Sequence, residues 1–336
     1  MAKSKSKSKF GEQGALFAFR RMERYLGQRD VAKAERRGAK LGELWFRLDK
    51  RRVARAIDNV KLAFPELSEA ERTERVRQAC QHFGIVMADF MRTSFRTNEE
   101  LIETVIFEGD DVKAYELACV PDKGIIATPP HYGNWERFGH WLLATGRMIT
   151  VVARDANEGS VNEAVNTLRR KNGMGVVARG DSAREILRLL RRKEIVGLLP
   201  DQNSREAYVP FFGHLAGTVL GPAVLHIRTG APILVCGCVR LGVGRYRIVC
   251  EPPLFAREGE TPEALTARLN LSIEALIRRH PEQYLWMHDR WKSARRRGFI
   301  PEALGAPTPE QIAAIETERA ERRARSLPEP DTDEDA

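Results

Sequence analysis

Residues 123–142 read KGIIATPPHYGNWERFGHWL. A short apolar run, GIIAT, ends at Pro129-Pro130, and a histidine, a glycine and an asparagine follow before a second apolar stretch with helical spacing. This predicts strand, sharp turn, helix. Paired prolines stop a central strand, Gly133 permits the tight turn, Asn134 is a favoured N-cap, and Glu136 falls in the first helical turn. In open α/β sheets, ligands bind at the carboxyl ends of strands, so His131 stands where chemistry is expected. On a single helix a spacing of five residues would set His131 and Glu136 about 140° apart; through a turn, Glu136 is expected to fold back toward the imidazole. The glutamate would then hold one ring nitrogen as N–H while the other takes a proton from an attacking hydroxyl. Such a base suits acyl transfer onto an alcohol and requires a further group to stabilise the tetrahedral oxyanion.

Working outward, short β-branched runs (MITVVAR, GVVAR, EIVGLLP, APILVCGCVRL, YRIVCEPPL) alternate with helical stretches near 135–144, 158–172, 182–193, 219–229 and 261–280. The alternation predicts an α/β domain with a mostly parallel or mixed central sheet flanked by helices. An N-terminal helical segment precedes it, with helices expected at 31–48, at 50–63 and, after the break Pro65-Glu-Leu-Ser68, at 69–95. Three parts are expected: a basic tail and amphipathic helix over 1–30, a catalytic domain over 31–300 with a helical prelude to about 103 and the α/β core after it, and a charged, disordered tail over 301–336.

The 336 residues, 43% hydrophobic, are enough for one large core. No window is long and apolar enough to span a bilayer, and MAKSKSKSKF lacks the apolar stretch of a secretory signal. The five cysteines form no C-x-x-C pair and no zinc-type spacing with histidine, so neither a disulfide framework nor a metal is expected. The formal charge of +9 is uneven: residues 1–55 carry 17 Lys+Arg against 6 Asp+Glu, and residues 302–336 carry 4 Arg against 10 acids. Anionic lipid headgroups, nucleic acid and an acidic carrier protein are all compatible with the basic front, as is a solvated tail kept for solubility. A nucleic-acid reading has only the pI of about 9.5 and the Lys-rich tail behind it, with no reading motif in the core.

HYGNWE, a His-x4-Glu motif enclosing Gly-Asn-Trp, resembles the signature of the bacterial lipid A late acyltransferases, the lauroyl and myristoyl type of the lysophospholipid acyltransferase superfamily. Further blocks follow in similar order: VVARDANEGSVNEAVNTLRRKNG, GLLPDQN, VPFFGHLAGTVLGPAVLHIRTGAPIL and YLWMHDRWK. Together they cover roughly residues 30–295. The resemblance implies a membrane-associated O-acyltransferase with His131 as base, Glu136 as its partner, and Arg169 and Asp201 as further required residues. Arg170 adjoins Arg169, so the match can slip by one. Asp201 is expected to orient substrate or to hold Arg169; Arg154, Asn134, Arg170 and Gln202 are expected at the substrates. Phe211, Phe212, Gly213, Gly217 and Thr218 correspond to the block that helps shape the family's cleft, although by themselves they read as a turn and packing corner. His288 reads as scaffold or a phosphate contact. No cofactor or metal is implied: an acyl thioester, on acyl carrier protein or coenzyme A, is the donor substrate, and a glycolipid, a lipid A precursor foremost, is the acceptor. Carrier protein and an anionic membrane surface are the expected partners, nucleic acid is not, and the expected place is the cytoplasmic face of the inner membrane. Many members begin with an uninterrupted hydrophobic anchor helix; the Lys/Ser tail and arginine-studded segment here imply peripheral attachment instead. The alternatives are an acyltransferase for another glycolipid or phospholipid, such as a phosphatidylinositol mannoside, and a non-catalytic lipid-binding protein.

Overall fold

The computed structural model describes residues 9–153, 160–178 and 182–300. Five helices open the chain: α1 (Lys9–Gly27), α2 (Val31–Leu48), α3 (Lys50–Ala63), α4 (Glu69–Arg92) and α5 (Asn98–Glu103). Their starts are written in the sequence. Asp30 accepts from the Lys33 amide to cap α2, and Ser68 with Glu71 forms a reciprocal capping box at α4. The expected helices at 31–48 and 50–63 are present with those bounds; the one at 69–95 gives way to a 3-10 turn after Arg92, and the amphipathic segment at 15–26 is the later part of a longer helix.

The core follows as β1 (Val105–Ile106), α6 (Asp110–Ala118), β2 (Ile125–Ala127), α7 (Trp135–Ala144), β3 (Ile149–Ala153), α8 (Ser160–Lys171), β4 (Gly175–Ala178), α9 (Ser182–Arg191) and β5 (Ile195–Gly197). After these come β6 (Ala207–Phe211), β7 (His214–Thr218), α10 (Gly221–Thr229), β8 (Ile233–Leu234), β9 (Cys236–Gly242), β10 (Arg245–Cys250), α11 (Pro262–Arg279) and α12 (Lys292–Arg296). The central sheet has the order β4-β3-β5-β2-β8, with every neighbouring pair parallel. The expected α/β architecture is therefore present, with the antiparallel component set apart from this sheet. The run 231–242 is interrupted at Val235, so β8 completes the five-stranded sheet and β9 enters a second one, where it pairs antiparallel with β10, and β1 pairs parallel with the other edge of β10.

Phe211, Phe212, Gly213, Gly217 and Thr218, read from sequence as a turn and packing corner, belong to the hairpin β6–β7. Its two-residue turn places Phe212 at φ +49 and Gly213 at φ +75, the left-handed geometry that such tight hairpins require. Phenylalanine is an unusual choice there. The Phe212 amide donates to the Glu274 carboxylate at 2.7 Å, and its ring packs against Phe64 and Trp286, contacts that offset the backbone cost. The short elements α5, α6 and β1 were also absent from the sequence reading, because six- to nine-residue helices and a two-residue strand leave too little periodicity to detect.

One geometric fact places the site. Within β2 and β5, Ala127 and Gly197 are partners in register. His131 and Asp201 each lie four residues beyond those partners, behind Pro130 and Pro200 respectively. Equal offsets from neighbouring parallel strands deliver the two side chains next to each other at the carboxyl edge.

Candidate active site

The turn 131–134 is built as the sequence predicts. Gly133 has φ +59 and lies so close to the Cys238 carbonyl that a Cβ would collide with it, while the Asn134 amide donates to that same carbonyl at 2.6 Å. Asn134 Oδ1 accepts from the Arg137 amide at 2.9 Å and caps α7. Its Nδ2 donates to Asp89 at 2.8 Å.

His131 is held by Asp201. Its Nδ1–H donates to Asp201 Oδ1 at 2.8 Å, and its backbone N–H donates to Oδ2 at 2.8 Å. One buried carboxylate thus fixes both the ring and the main chain that carries it, and the tautomer this imposes makes Nε2 the proton-accepting nitrogen. Gln202 Nε2–H donates to that nitrogen at 3.3 Å, a neutral hydrogen bond that an incoming hydroxyl would replace. Burial would raise the Asp201 carboxyl, but attraction to His131 and the hydrogen bonds from it hold the group below its ordinary value. The Tyr284 hydroxyl faces the same carboxylate, and burial together with Asp201 keeps that phenol firmly protonated.

The expected Glu136–His131 pair does not form. Glu136 sits in the first turn of α7, is nearly fully buried, and takes Arg169 from the last turn of α8 as its partner, with Nε at 3.1 Å and Nη2 at 2.5 Å from its two oxygens. This is a two-pronged guanidinium–carboxylate pair. Asn166, one turn earlier on α8, accepts from Arg169 Nη1 at 3.0 Å. Burial disfavours both charges, yet Arg169 holds the Glu136 carboxyl below its usual value and Glu136 holds the guanidinium above its own. Asp201, expected to orient substrate or to hold Arg169, holds His131 instead, and Arg169 takes Glu136. Helix α7 turns Glu136 toward α8, whereas Asp201 rises from the strand beside His131.

Of the other expected substrate contacts, Gln202 lines the cleft beside His131. Asn134, expected at the substrates, is fully buried beneath the turn, with its side-chain amide engaged in the α7 cap and the Asp89 bond. Arg170 is turned outward, half-exposed and paired with Glu163, whereas Arg169 reaches the cleft. Arg154 lies outside the described residues. His288 is scaffold: its carbonyl accepts from Asn59 at 2.8 Å, and burial lowers its imidazole to about 4.

Two residues that the sequence reading passed over grip the turn from below. Asp89 on α4 accepts from Asn134 and forms ion pairs with Arg96 and Arg137. His82, two helical turns earlier, donates Nε2–H to the Gly133 carbonyl at 3.1 Å; burial lowers its pKa to about 4, so it stays neutral. Their i, i+7 spacing on one face of α4 was the available signal.

A cleft of about 580 Å³ opens over these groups. His131, Trp135, Glu136, Arg169 and Gln202 form its polar part, and Phe138, Ile149, Met174, Ile186 and Leu225 line apolar walls. Among the described residues no group of three or more His, Cys, Asp or Glu is placed to hold a metal ion. A carboxylate-held histidine with a proton-accepting Nε2, beside a buried guanidinium and an apolar-walled cleft at strand carboxyl ends, is the equipment of a transferase that activates a hydroxyl toward an acyl carbonyl.

Sequence comparison specifies the class. The chain belongs to the bacterial lipid A biosynthesis acyltransferase family, whose pattern matches residues 17–293, and it is an acyltransferase. It is 26% identical over 262 residues to the lipid A biosynthesis palmitoleoyltransferase of Escherichia coli (strain K12), covering 76% of this chain and 84% of that protein. With the lauroyltransferase of the same strain it shares 26% over 271 residues, covering 77% and 85%. The phosphatidylinositol mannoside acyltransferase of Mycobacterium tuberculosis (strain CDC 1551 / Oshkosh) is 28% identical over 182 residues, covering 52% of this chain and 57% of that one.

Proposed function

We propose that this acyltransferase moves a fatty acyl chain from the thioester of an acyl carrier protein to a hydroxyl of a lipid A precursor, at the cytoplasmic face of the inner membrane and without a spanning anchor. The observation that carries the chemistry is the His131–Asp201 pair, which leaves His131 Nε2 at the cleft as the only ring nitrogen able to accept a proton. His131 takes the proton of the acceptor hydroxyl as its oxygen attacks the thioester carbonyl, and Asp201 stabilises the imidazolium that forms. The tetrahedral intermediate collapses to the new ester and expels the thiolate, which takes the proton back from His131. Base catalysis of this kind contributes on the order of 10²–10⁴-fold. Arg169, held ionised by Glu136, lines the same cleft and provides positive charge for the developing oxyanion or for a phosphate of either substrate.

The lipid A acceptor is supported by the relatives that match along more than three quarters of the chain. The mycobacterial relative, matching about half of it, favours a mannosylated phospholipid as the second reading. An acidic carrier protein as donor is supported by the basic stretch over residues 1–55, although coenzyme A is polyanionic too. Peripheral attachment is in keeping with the described helices, none of which is long and apolar enough to cross a membrane.

The test supplies purified protein with acyl-loaded carrier protein or acyl-coenzyme A, offers a lipid A precursor and a phosphatidylinositol mannoside in parallel, and reads products by mass. One added acyl chain on the lipid A precursor, absent with His131→Ala, is the expected result. Transfer only to the mannoside would replace the acceptor, and no transfer to either by a folded protein would overturn the reaction.

A further inference from the structure

Helix α2 is packed inside out for a protein surrounded by water. It buries Ala34, Gly38 and Gly42, one small residue per turn, against α4. The approach is backbone to backbone: a Cβ on Gly38 would strike the Gly84 carbonyl, and one on Gly42 would strike that of Cys80. Trp45 and Phe46 pack on the core beside this seam, but the three leucines of the helix are turned to solvent. Leu41, Leu44 and Leu48, spaced i, i+3 and i+7 on one stripe, are 46%, 50% and 72% exposed. A water-facing helix normally buries its leucines and exposes its charges.

The stripe has a basic margin. Residues 31–52 hold eight Lys+Arg against three acids, and all three acids are already paired: Glu35 with Arg240, Glu43 with Arg77 and Asp49 with Arg52. Lys33, Arg36 and Lys40 are exposed along the side of the leucine stripe. Leucines edged by lysine and arginine suit the interface of an anionic bilayer, where each basic residue adds attraction to the headgroups and the apolar face enters the acyl boundary.

The stripe also leads into the site. Trp45, one turn from Leu41 and adjoining Leu44, packs on Phe83 with centroids 5.3 Å apart; Phe83 stacks on Trp135 at 6.3 Å, and Trp135 meets the His131 ring at 5.1 Å. Three aromatic side chains thus form an unbroken apolar path from α2 to the base.

We propose that the Leu41–Leu44–Leu48 face of α2 is the surface by which the protein docks on an anionic membrane, and that the acceptor lipid passes from the bilayer to His131 along Trp45, Phe83 and Trp135. The first part stands on the packing of α2 and its charge; the second rests on the reading that the acceptor is a membrane lipid.

The test is flotation of the full chain with vesicles of phosphatidylcholine alone and of phosphatidylcholine with phosphatidylglycerol, at low and high salt. The combined variant Leu41→Asn, Leu44→Asn, Leu48→Asn alters only exposed side chains; Leu117→Asn with Leu271→Asn, at leucines equally exposed on α6 and α11, is the control. At least a tenfold loss of partitioning onto the anionic vesicles is expected for the triple variant and less than twofold for the control. Arg36→Gln with Lys40→Gln should remove part of the salt-sensitive binding. Unchanged flotation of the triple variant overturns the inference, and so does a triple variant that binds vesicles normally but dissociates from a dimer to a monomer, which would make the face a contact between copies. Flotation does not depend on catalysis, so a protein that docks as expected and acylates nothing would count against the reaction and not against this surface.

Discussion

Two acid–base pairs sit at the edge of one sheet and do different work. His131 and Asp201 come from the ends of two adjacent parallel strands, and their geometry is set by strand register. Glu136 and Arg169 come from the first turn of one helix and the last turn of another, so each acid or base also complements its own helix dipole. The strand-end pair keeps a lone pair at the cleft. The helix-end pair is saturated, with both carboxylate oxygens and two guanidinium nitrogens bonded to one another. Chemistry therefore belongs to the first pair, and fixed charge with local rigidity to the second. A sequence motif that reads His-x4-Glu as one unit joins a member of each.

The sharpest way to break this division is to remove each acid in turn. Asp201→Asn removes the acceptor that fixes the His131 tautomer and should lower kcat by about 10²–10⁴, close to the loss from His131→Ala, since the two act together. Steady-state rates on the double variant should show almost no further loss. Glu136→Gln leaves Arg169 charged and largely buried, and Arg169→Gln does the same to Glu136. Breaking a buried pair from one side costs about 3–5 kcal/mol of stability. Denaturant unfolding of both single variants and the double should give a double variant less destabilised than the two singles added together, whereas Asp201→Asn should cost less stability than activity.

The clasp from α4 makes a smaller contribution that pH can read. His82 titrates at about 4 in the folded protein against an ordinary value of 6.5. Between those values the unfolded chain binds a proton that the native chain refuses, so stability falls as pH drops from 6.5 to 4, by roughly 1.4 kcal/mol per unit at full effect. His288 behaves in the same way. His82→Gln, which keeps a donor for the Gly133 carbonyl, should reduce the slope of unfolding free energy against pH in this window by about one proton; an unchanged slope would place the titration elsewhere. The smallest effect is expected for Arg170→Ala, because that side chain faces solvent and Glu163. Acyl-transfer rates within about twofold of the parent are predicted.

Much of the architecture was legible in the sequence because the signals were local. Asn134 as a cap, Gly133 at a tight turn and the break ending in Ser68 before α4 each follow from a few neighbouring residues. His131 was also legible, since prolines that end an apolar run mark the edge of a sheet. What escaped was every relationship fixed by tertiary register. Asp201 and His131 are 70 residues apart, and nothing in either block states that β2 and β5 are neighbours. Once they are, the matching Pro130-His131 and Pro200-Asp201 offsets make the pair unavoidable. The grip of His82 and Asp89 escaped for the same reason, because a histidine and an aspartate on a helix look alike whether they face water or a catalytic turn. Arg169 was found without a settled partner: its position at the end of α8 was clear, but which acid it met depends on how α7 lies against α8.

The most direct measurement is the proton NMR spectrum of protein labelled only at histidine, following the low-field Nδ1–H of His131 with Asp201→Asn and Glu136→Gln compared against the parent. With Asp201 as the acceptor, that resonance is present in the parent, survives Glu136→Gln and is lost in Asp201→Asn. A resonance that survives Asp201→Asn and disappears with Glu136→Gln would contradict the assignment and return Glu136 to the imidazole.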